Sequence, residues 1–293
     1  NSSLEFREWK EKMGYDLKFI HLGITIEHLH NHISVFGFAI AFYGIIIATG
    51  MLLGMFLASS DMKRRGLNPD LIMDLALFGI VFGVIGARIY YVIFSWDSYK
   101  NHPLEILNIR GGGLAIYGGV IAAAITTFVY SRAKKVSFFT LADSAVLGLL
   151  VGQILGRWGN FFNAEAFGGY TNGPFAMQIK KSIVNPNMLN DAVLHHLVQV
   201  NGIDYIQVHP TFLYESVWNL CLLLLLLWYR KKKKFEGEMF WLYIGGYGLG
   251  RAMIEGLRTD SLLVPGTNIA VSQMLAILCV VISVITIVRK KKG

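Results

Sequence analysis

Residues 156–169 read GRWGNFFNAEAFGG, and they follow an apolar run that predicts a membrane-spanning helix. The stretch brings together a cation, two amides and a carboxylate: Arg157, Asn160, Asn163 and Glu165. An ionisable side chain near the middle of a bilayer costs roughly 2.5–3.5 kcal/mol, so such groups usually mark a polar site or pathway. A helix end at the membrane interface would explain a snorkelling arginine, but not its three polar neighbours. We therefore interpret the stretch as a polar site at the end of a membrane helix.

The composition indicates a membrane protein. Of the 293 residues, 54% are hydrophobic and 16% are charged, whereas soluble domains average about 45–50% apolar and about 25% charged residues. Cys221 and Cys279 both lie inside apolar runs, a pattern typical of packing residues rather than of a disulfide framework or a thiolate metal site. The formal net charge of +8 is typical of basic cytoplasmic loops, so we expect no nucleic-acid partner.

Seven apolar runs are long enough to cross a bilayer, which takes about 20 residues and at least about 17. They lie at about residues 34–59, 71–94, 113–130, 137–156, 212–229, 239–256 and 268–288. The sequence therefore predicts an all-α membrane protein with seven transmembrane helices. No cleavable signal peptide is expected, because the first 33 residues are largely polar and the first apolar run is too long for a signal-peptide core.

The basic residues predict the orientation of these helices. More than half of the 27 lysines and arginines fall in the loops after the first, third and fifth runs and in the tail. These clusters are residues 63–65, 132–135, 230–234 and 289–292. All four lie on one side of a seven-span layout, and lysine and arginine are concentrated in cytoplasmic loops. The C-terminus is therefore predicted to be cytoplasmic and the N-terminus outside.

The remaining segments are then extracytoplasmic, and they give the predicted domains. Residues 1–33 form an N-terminal amphipathic arm, and residues 34–293 form the seven-helix transmembrane domain. The segment at about residues 170–211 contains turn signals and forms a small extracytoplasmic cap. Within this cap we expect short strands at Phe175–Lys180 and Tyr205–Val208.

A second polar constellation lies on the sixth run and its continuation. Its members are Tyr247, Arg251, Glu255 and Arg258. Their spacing places all four on one face of an α-helix. Arg251 and Glu255 are expected to pair, which lowers the cost of burying either charge. Glu255 and Arg258 fit a purely structural ion pair equally well, whereas we assign Arg251 a functional role.

Arg157 and Arg251 together suggest an anion site in an apolar cavity, because guanidinium groups bind phosphate oxygens in a bidentate manner. An anion that enters sideways from the bilayer is a phospholipid head group, here from the outer leaflet. On residue patterns alone, an enzyme acting on lipid and a lipid flippase or anion transporter both remain open. A structural scaffold would not need these groups together. The histidines at 28, 30 and 32 lack acidic or thiol partners, so no metal site is expected.

Several blocks of the chain resemble the prolipoprotein diacylglyceryl transferases. The signature of that family is G-R-x-[G/A]-N-F-φ-N-x-E-x-x-G, with φ apolar, and residues 156–168 fill every specified place. Further blocks are similar: GGGLAIYGG at 111–119, HPTFLYE at 209–215, and GLGR at 248–251 with Glu255 and Arg258. The resemblance extends from about Ser34 to the C-terminus, and the seven-span layout is also similar.

The resemblance implies a membrane enzyme that moves the diacylglyceryl group of phosphatidylglycerol to the lipobox cysteine of a prolipoprotein. A thioether forms and glycerol phosphate leaves, which is the first step of bacterial lipoprotein maturation. It further implies a multi-pass protein of the bacterial cytoplasmic membrane, with the active site toward the outer leaflet. No cofactor or metal is expected, and since one chain suffices for this chemistry we expect a monomer.

The same resemblance assigns roles to individual residues. Arg157 would bind the lipid phosphate, and Arg251 would stabilise the leaving phosphate. The other positions that match the family's binding or site-shaping residues are Tyr43, Asn160, Glu165, Gly168, Tyr247, Glu255 and Arg258.

The general base departs from the family pattern. Many members carry a histidine before the paired glycines, where this chain has Tyr117. A phenol of pKa about 10 is a poor base at neutral pH. Either Tyr117 is tuned by a nearby arginine, or the thiol proton leaves through Glu165 or water. His209 is a further candidate base, although an interfacial hydrogen bond explains it equally well.

Overall fold

The computed structural model describes residues 15–36, 38–109, 112–259, 261–264, 266–267 and 269–292. The first fourteen residues of the predicted N-terminal arm lie outside these ranges. So do Arg110 and Gly111 at the start of the glycine-rich stretch.

The described residues contain seven helices of 18 or more residues. They are α1 (Phe42–Arg64), α2 (Asp70–Phe94), α3 (Ile116–Ala133), α4 (Phe138–Asn163), α5 (Thr211–Tyr229), α6 (Glu238–Glu255) and α7 (Val271–Lys292). Six of them are long and apolar enough to cross a membrane. The exception is α6, which carries the three charged residues Glu238, Arg251 and Glu255. The protein is thus a mostly helical, multi-pass membrane protein. Shorter helices occupy Trp96–Tyr99, Pro103–Leu107, Lys181–Ile183, Pro186–Met188 and Asp191–Leu194.

Two predicted helix limits are wrong by about two helical turns. The first run was expected to be helical from residue 34, but β3 (His32–Val35) and β4 (Phe38–Ala41) pair as an antiparallel hairpin, and α1 begins only at Phe42. Alternating β-branched and aromatic residues favour strands there. The fourth run was expected to end at Gly156, but α4 continues for two more turns to Asn163, because no proline interrupts it.

A five-stranded antiparallel sheet joins distant parts of the chain. Its strands are β1 (Tyr15–Phe19), β2 (Ile24–Leu29), β5 (Met177–Lys180), β6 (Val198–Val200) and β7 (Ile203–Val208), in the order β2-β1-β5-β7-β6. The strands predicted within residues 175–180 and 205–208 are confirmed as β5 and β7. The sheet also takes in β1 and β2 from the predicted N-terminal arm, since β1 pairs with β5.

The chain divides into two compact units. The first comprises residues 1–54, 149–232 and 241–293, and it includes the sheet, α5 and α7. Its core packs the sheet against the end of α4 and the start of α5, through side chains such as Leu17, Phe161, Ile206 and Phe212. The second comprises residues 55–148 and 233–240, and it includes α2 and α3. On both units many large apolar side chains of the long helices are exposed, as lipid-facing helices require.

Within the second unit, the carboxylate of Asp143 caps the start of α6 from another helix. Asp143 lies on α4 and is 1% exposed. Its carboxylate accepts hydrogen bonds from the backbone N–H groups of Gly237 (2.9 Å) and Phe240 (3.0 Å). It also pairs with Lys233 Nζ at 2.9 Å. These bonds satisfy donors that have no partner inside the helix itself.

We predict that Asp143→Ala destabilises the protein. The substitution removes the cap and leaves the Lys233 ammonium unpaired, and breaking a buried pair costs about 3–5 kcal/mol, which is roughly 5–15 °C in Tm. Thermal unfolding in detergent measures the effect. Asp97→Ala is the matched control, because the Asp97 side chain is 93% exposed and forms a surface ion pair with Lys100; its Tm should stay within about 2 °C of wild type. Equal losses in the two variants would contradict the capping role.

Candidate functional site

The last two turns of α4 and the turn after it hold the polar residues of the stretch 156–169. Asn160 and Asn163 each donate from Nδ2 to Glu165 Oε1, at 3.1 and 3.2 Å. Arg157 Nη1 donates to Asn160 Oδ1 at 3.4 Å. The helix thus places Arg157 and the two amides one turn apart, and Glu165 folds back onto them. This network confirms that the polar residues of the stretch form one cluster.

The turn after α4 is held in an uncommon backbone conformation. Ala164 and Ala166 have positive φ angles of 51° and 54°, a left-handed region that costs an alanine roughly 1–2 kcal/mol. Both side chains are buried, and the Thr211 hydroxyl donates to the carbonyl of Ala166. The two alanines flank Glu165, so the strained turn fixes the direction of its carboxylate. Backbone strain of this kind clusters at functional sites.

The centre of the site is the carboxylate of Glu215, on the second turn of α5. It is 3% exposed. Its Oε2 lies 2.6 Å from Arg157 Nη2, and its Oε1 lies 3.0 Å from Arg251 Nη1 and 3.5 Å from Arg258 Nη1. One buried carboxylate therefore binds guanidinium groups from α4, α6 and the segment after α6.

A second carboxylate extends this network. Glu255 Oε2 lies 2.5 Å from Arg251 Nη2, which confirms the pair predicted from the helical spacing. Glu255 Oε1 accepts hydrogen bonds from the hydroxyls of Ser261 (2.8 Å) and Ser272. Arg251 thus forks between two buried glutamates, and its orientation is fixed. We call the five residues Arg157, Glu215, Arg251, Glu255 and Arg258 the arginine–glutamate cluster.

Arg258 reaches the cluster in a different way from the one predicted. The sequence suggested a single helix face from Tyr247 to Arg258, but α6 ends at Glu255. The backbone of Arg258 instead forms an antiparallel bridge with Gly168. A Cβ atom at Gly168 would lie 2.7 Å from the carbonyl oxygen of Leu257. Glycine is needed at 168 because two backbone segments approach closely there.

Two tyrosines of the predicted binding set lie on helices of the same unit. Tyr43 is the second residue of α1 and packs its ring on Gly159, where an added Cβ would lie 2.6 Å from the ring. Tyr247 lies one turn before Arg251 on α6, and its ring stacks on that of Tyr243 with centroids 5.7 Å apart. The first unit therefore holds every predicted site residue except Tyr117, which lies on the first turn of α3 in the second unit.

His209 lies beside the bridge between Gly168 and Arg258. Its carbonyl accepts from the N–H of Gly168 at 2.9 Å, and its Nδ1 lies 3.3 Å from the Tyr214 hydroxyl. Burial lowers the pKa of His209 below its usual value, because the charged imidazolium is poorly solvated there. The imidazole is therefore neutral at pH 7, which is the form that accepts a proton.

Glu215 is the functional residue that sequence reasoning missed. In the sequence, Glu215 stands only as the last residue of the HPTFLYE block. A signal was available, since a carboxylate in a membrane run is costly unless a cation is near. Two intramembrane arginines with a single assigned partner, Glu255, also imply a further carboxylate. The pairing itself joins residues 36, 43 and 58 positions apart, and no periodic pattern reveals it.

The arrangement suits the binding and stabilisation of an anion. The side chains of Arg157 and Arg251 are 21% and 19% exposed, so both retain accessible surface while Glu215 holds their guanidinium groups. Preorganised cations of this kind stabilise charge that develops on a leaving phosphate. Within the described ranges, no group of three histidine, cysteine, aspartate or glutamate residues has the geometry of a metal site.

A family model and several known proteins match most of this chain. A family model described as prolipoprotein diacylglyceryl transferase matches residues 31–289. A phosphatidylglycerol–prolipoprotein diacylglyceryl transferase of Bacillus cytotoxicus is 43% identical over 257 residues, which cover 87% of this chain and 90% of the relative. The protein of the same name from Clostridioides difficile is 39% identical over 261 residues, covering 89% and 96%. That of a Bacillus cereus strain is 44% identical over 257 residues, covering 87% and 90%.

The matched region contains the whole arginine–glutamate cluster and the strained turn beside it. With a family model over most of its length and relatives 39–44% identical across nearly all of it, the chain belongs to the prolipoprotein diacylglyceryl transferase family.

Proposed function

We propose that this protein transfers the diacylglyceryl group of phosphatidylglycerol to the lipobox cysteine of a prolipoprotein. The observation that supports it best is the arginine–glutamate cluster, in which two partly exposed guanidinium groups are fixed by buried carboxylates. The names of the relatives at 39–44% identity supply the two substrates.

The chemical step is a displacement at carbon. The cysteine sulfur, as its thiolate, attacks the glyceryl carbon that carries the phosphate ester. A carbon–sulfur bond forms, the carbon–oxygen bond breaks, and its electron pair leaves on the phosphate oxygen. The products are a thioether and glycerol phosphate, and the thiol proton passes to a base. No oxidant, reductant or metal is required.

Arg157 and Arg251 act on the phosphate at both ends of this step. Arg157 binds the head group, and Arg251 stabilises the charge that develops on the leaving oxygen. Glu215 holds both guanidinium groups, so they do not need to reorganise when the charge appears. Asn160, Glu165, Gly168, Tyr43 and Tyr247 shape and line the site, and Glu255 and Arg258 keep Arg251 and Glu215 in place.

We also infer the topology of the protein in the membrane. All seven long helices cross it, with the N-terminus outside and the C-terminus in the cytoplasm, as the basic loops predict. The site then faces the outer leaflet of the bacterial cytoplasmic membrane, and the five-stranded sheet covers it as an extracytoplasmic cap over the transmembrane domain. A single chain performs the reaction.

We predict that Arg157→Ala and Arg251→Ala each lower transfer by about 10²-fold or more, because each removes a cation aimed at the phosphate. The measurement uses purified protein in detergent with phosphatidylglycerol and a lipobox peptide, and mass spectrometry detects the diacylglyceryl adduct on cysteine. Arg132→Ala is the matched control, since this arginine is exposed at the end of α3, and it should retain activity. Absence of the adduct from folded wild type with lipid bound would reject the transferase in favour of lipid transport.

Glu215→Gln tests whether Glu215 orients the arginines or contributes to the binding of phosphatidylglycerol. The substitution keeps the shape of the side chain but removes the charge that fixes three guanidinium groups. We expect kcat to fall by about 10²-fold, because misplaced catalytic groups lose rate steeply. The KM for phosphatidylglycerol should not rise, since the freed arginines still attract the anionic head group. A higher KM with unchanged kcat would show that Glu215 contributes to substrate binding instead.

The pH profile distinguishes the candidate bases. Because burial lowers the pKa of His209, a His209 base stays neutral and active as pH falls to about 6.5, and activity declines only below that value. We expect His209→Gln to remove this acid limb together with most of the activity. Tyr117→Phe tests the phenol in the same assay. Retention of the acid limb in His209→Gln would exclude the histidine as the base.

A further inference from the structure

Arg88 on α2 is buried in the second unit, and it is not part of the anion site proposed above. It is 7% exposed, and its ring neighbours are Tyr99 and Tyr91, with centroids 5.1 and 6.0 Å from the guanidinium carbon. Among the described residues no carboxylate lies within ion-pair distance of it. A buried arginine keeps its proton, so its charge must be satisfied in another way.

The backbone of one loop satisfies it. Nε donates to the carbonyl of Ile106 (2.8 Å), Nη2 donates to those of Glu105 (2.7 Å) and Asn108 (3.1 Å), and Nη1 donates to those of Gly112 and Gly113 (both 2.9 Å). A guanidinium group has five N–H donors, and five carbonyls engage it. Arg88 therefore has no donor left for an anion, and it acts on the loop that precedes α3.

Glycine at 112 and 113 makes this contact possible. Their φ angles are +92° and +80°, which only glycine adopts readily. A Cβ atom at Gly113 would lie 2.4 Å from Arg88 Nη1. The two glycines thus turn the chain and admit the guanidinium group at the same point.

The fixed loop leads directly into the turn that carries Tyr117. The N–H of Ala115 donates to the carbonyl of Ala87 at 3.0 Å. Gly118 packs on α2 so closely that a Cβ atom there would lie 2.4 Å from the carbonyl oxygen of Gly86. The backbone is thus held to α2 immediately before and after Tyr117. The Tyr117 side chain itself is 41% exposed, so it remains accessible although its backbone is fixed.

We propose that Arg88 is a positioning residue that acts, through the five backbone carbonyls it binds, to fix Tyr117 for the transfer reaction. The inference rests on the proposed function for its consequence in catalysis. The contacts that carry it are independent of that function, since all of them lie within α2, the loop and the start of α3.

A double-mutant cycle with Arg88→Lys and Tyr117→Phe tests the inference in the full chain in detergent. Lysine keeps the charge but has three donors on a single nitrogen, so it cannot span the five carbonyls. If Arg88 acts through Tyr117, Arg88→Lys lowers kcat by about tenfold in the wild-type background and by less than about twofold in Tyr117→Phe, because coupled residues are non-additive. The KM for phosphatidylglycerol stays within about twofold in both. Equal effects in the two backgrounds overturn the inference.

Arg65→Lys is the matched control for loss of a structural arginine. Arg65 donates from Nη1 to the carbonyl of Thr140 (2.8 Å) and to Ser144 Oγ (2.9 Å) in the same unit. Any effect of Arg65→Lys should be additive with Tyr117→Phe. If Arg88→Lys does not fold, Gly113→Ala perturbs the same contact from the loop side and should show the same coupling to Tyr117.

Hydrogen exchange separates this inference from the proposed function. Amides 112–119 should exchange at least about tenfold faster in Arg88→Lys than in wild type, because the loop loses its anchor. Unchanged exchange overturns the positioning role even if the wild-type enzyme is active. Conversely, a wild type that forms no adduct rejects the proposed function, while faster exchange in the variant still supports the anchoring of the loop.

Discussion

The site depends on one buried carboxylate shared by three guanidinium groups. An arginine cannot lose its proton under ordinary conditions, so an arginine inside a membrane protein must be paired or solvated. Glu215 meets that requirement for Arg157, Arg251 and Arg258 at once. The network is costly to bury, and its fixed geometry makes it useful, because cations that are already oriented stabilise a developing charge without further reorganisation.

The surrounding fold holds this network rigid. The sheet packs on the end of α4, and the same core includes Phe161, Ala164 and Phe167 from residues 156–169. Apolar packing of the aromatic residues therefore maintains the left-handed alanines that aim Glu165. In the second unit, Arg88 holds a loop in place by donating hydrogen bonds to its backbone carbonyls, and not through apolar packing. In both units, a glycine stands where a side chain approaches the backbone too closely for a Cβ atom: Gly159 lies against Tyr43, and Gly113 lies against Arg88.

Hydropathy predicted the positions of all seven long helices, and helical spacing predicted the pair between Arg251 and Glu255. The failures have physical causes. Residues 34–41 are as apolar as a membrane helix, and composition alone does not distinguish such a helix from a hairpin. The polar residues after Gly156 resembled a loop, although α4 continues through them. Glu215 was overlooked because ion pairs between helices follow from the tertiary arrangement, which has no period in the sequence.

The first unit is discontinuous along the chain, and this affects how the protein is made. Its segments are residues 1–54, 149–232 and 241–293, and the ribosome delivers them in that order. When α5 enters the membrane, Glu215 has only Arg157 as a described partner, and Arg251 and Arg258 arrive later. A nascent chain in which Arg258 has not yet been made does not complete the cluster. The nascent protein therefore acquires its complete arginine–glutamate cluster only after α6 and the segment that follows it have been made.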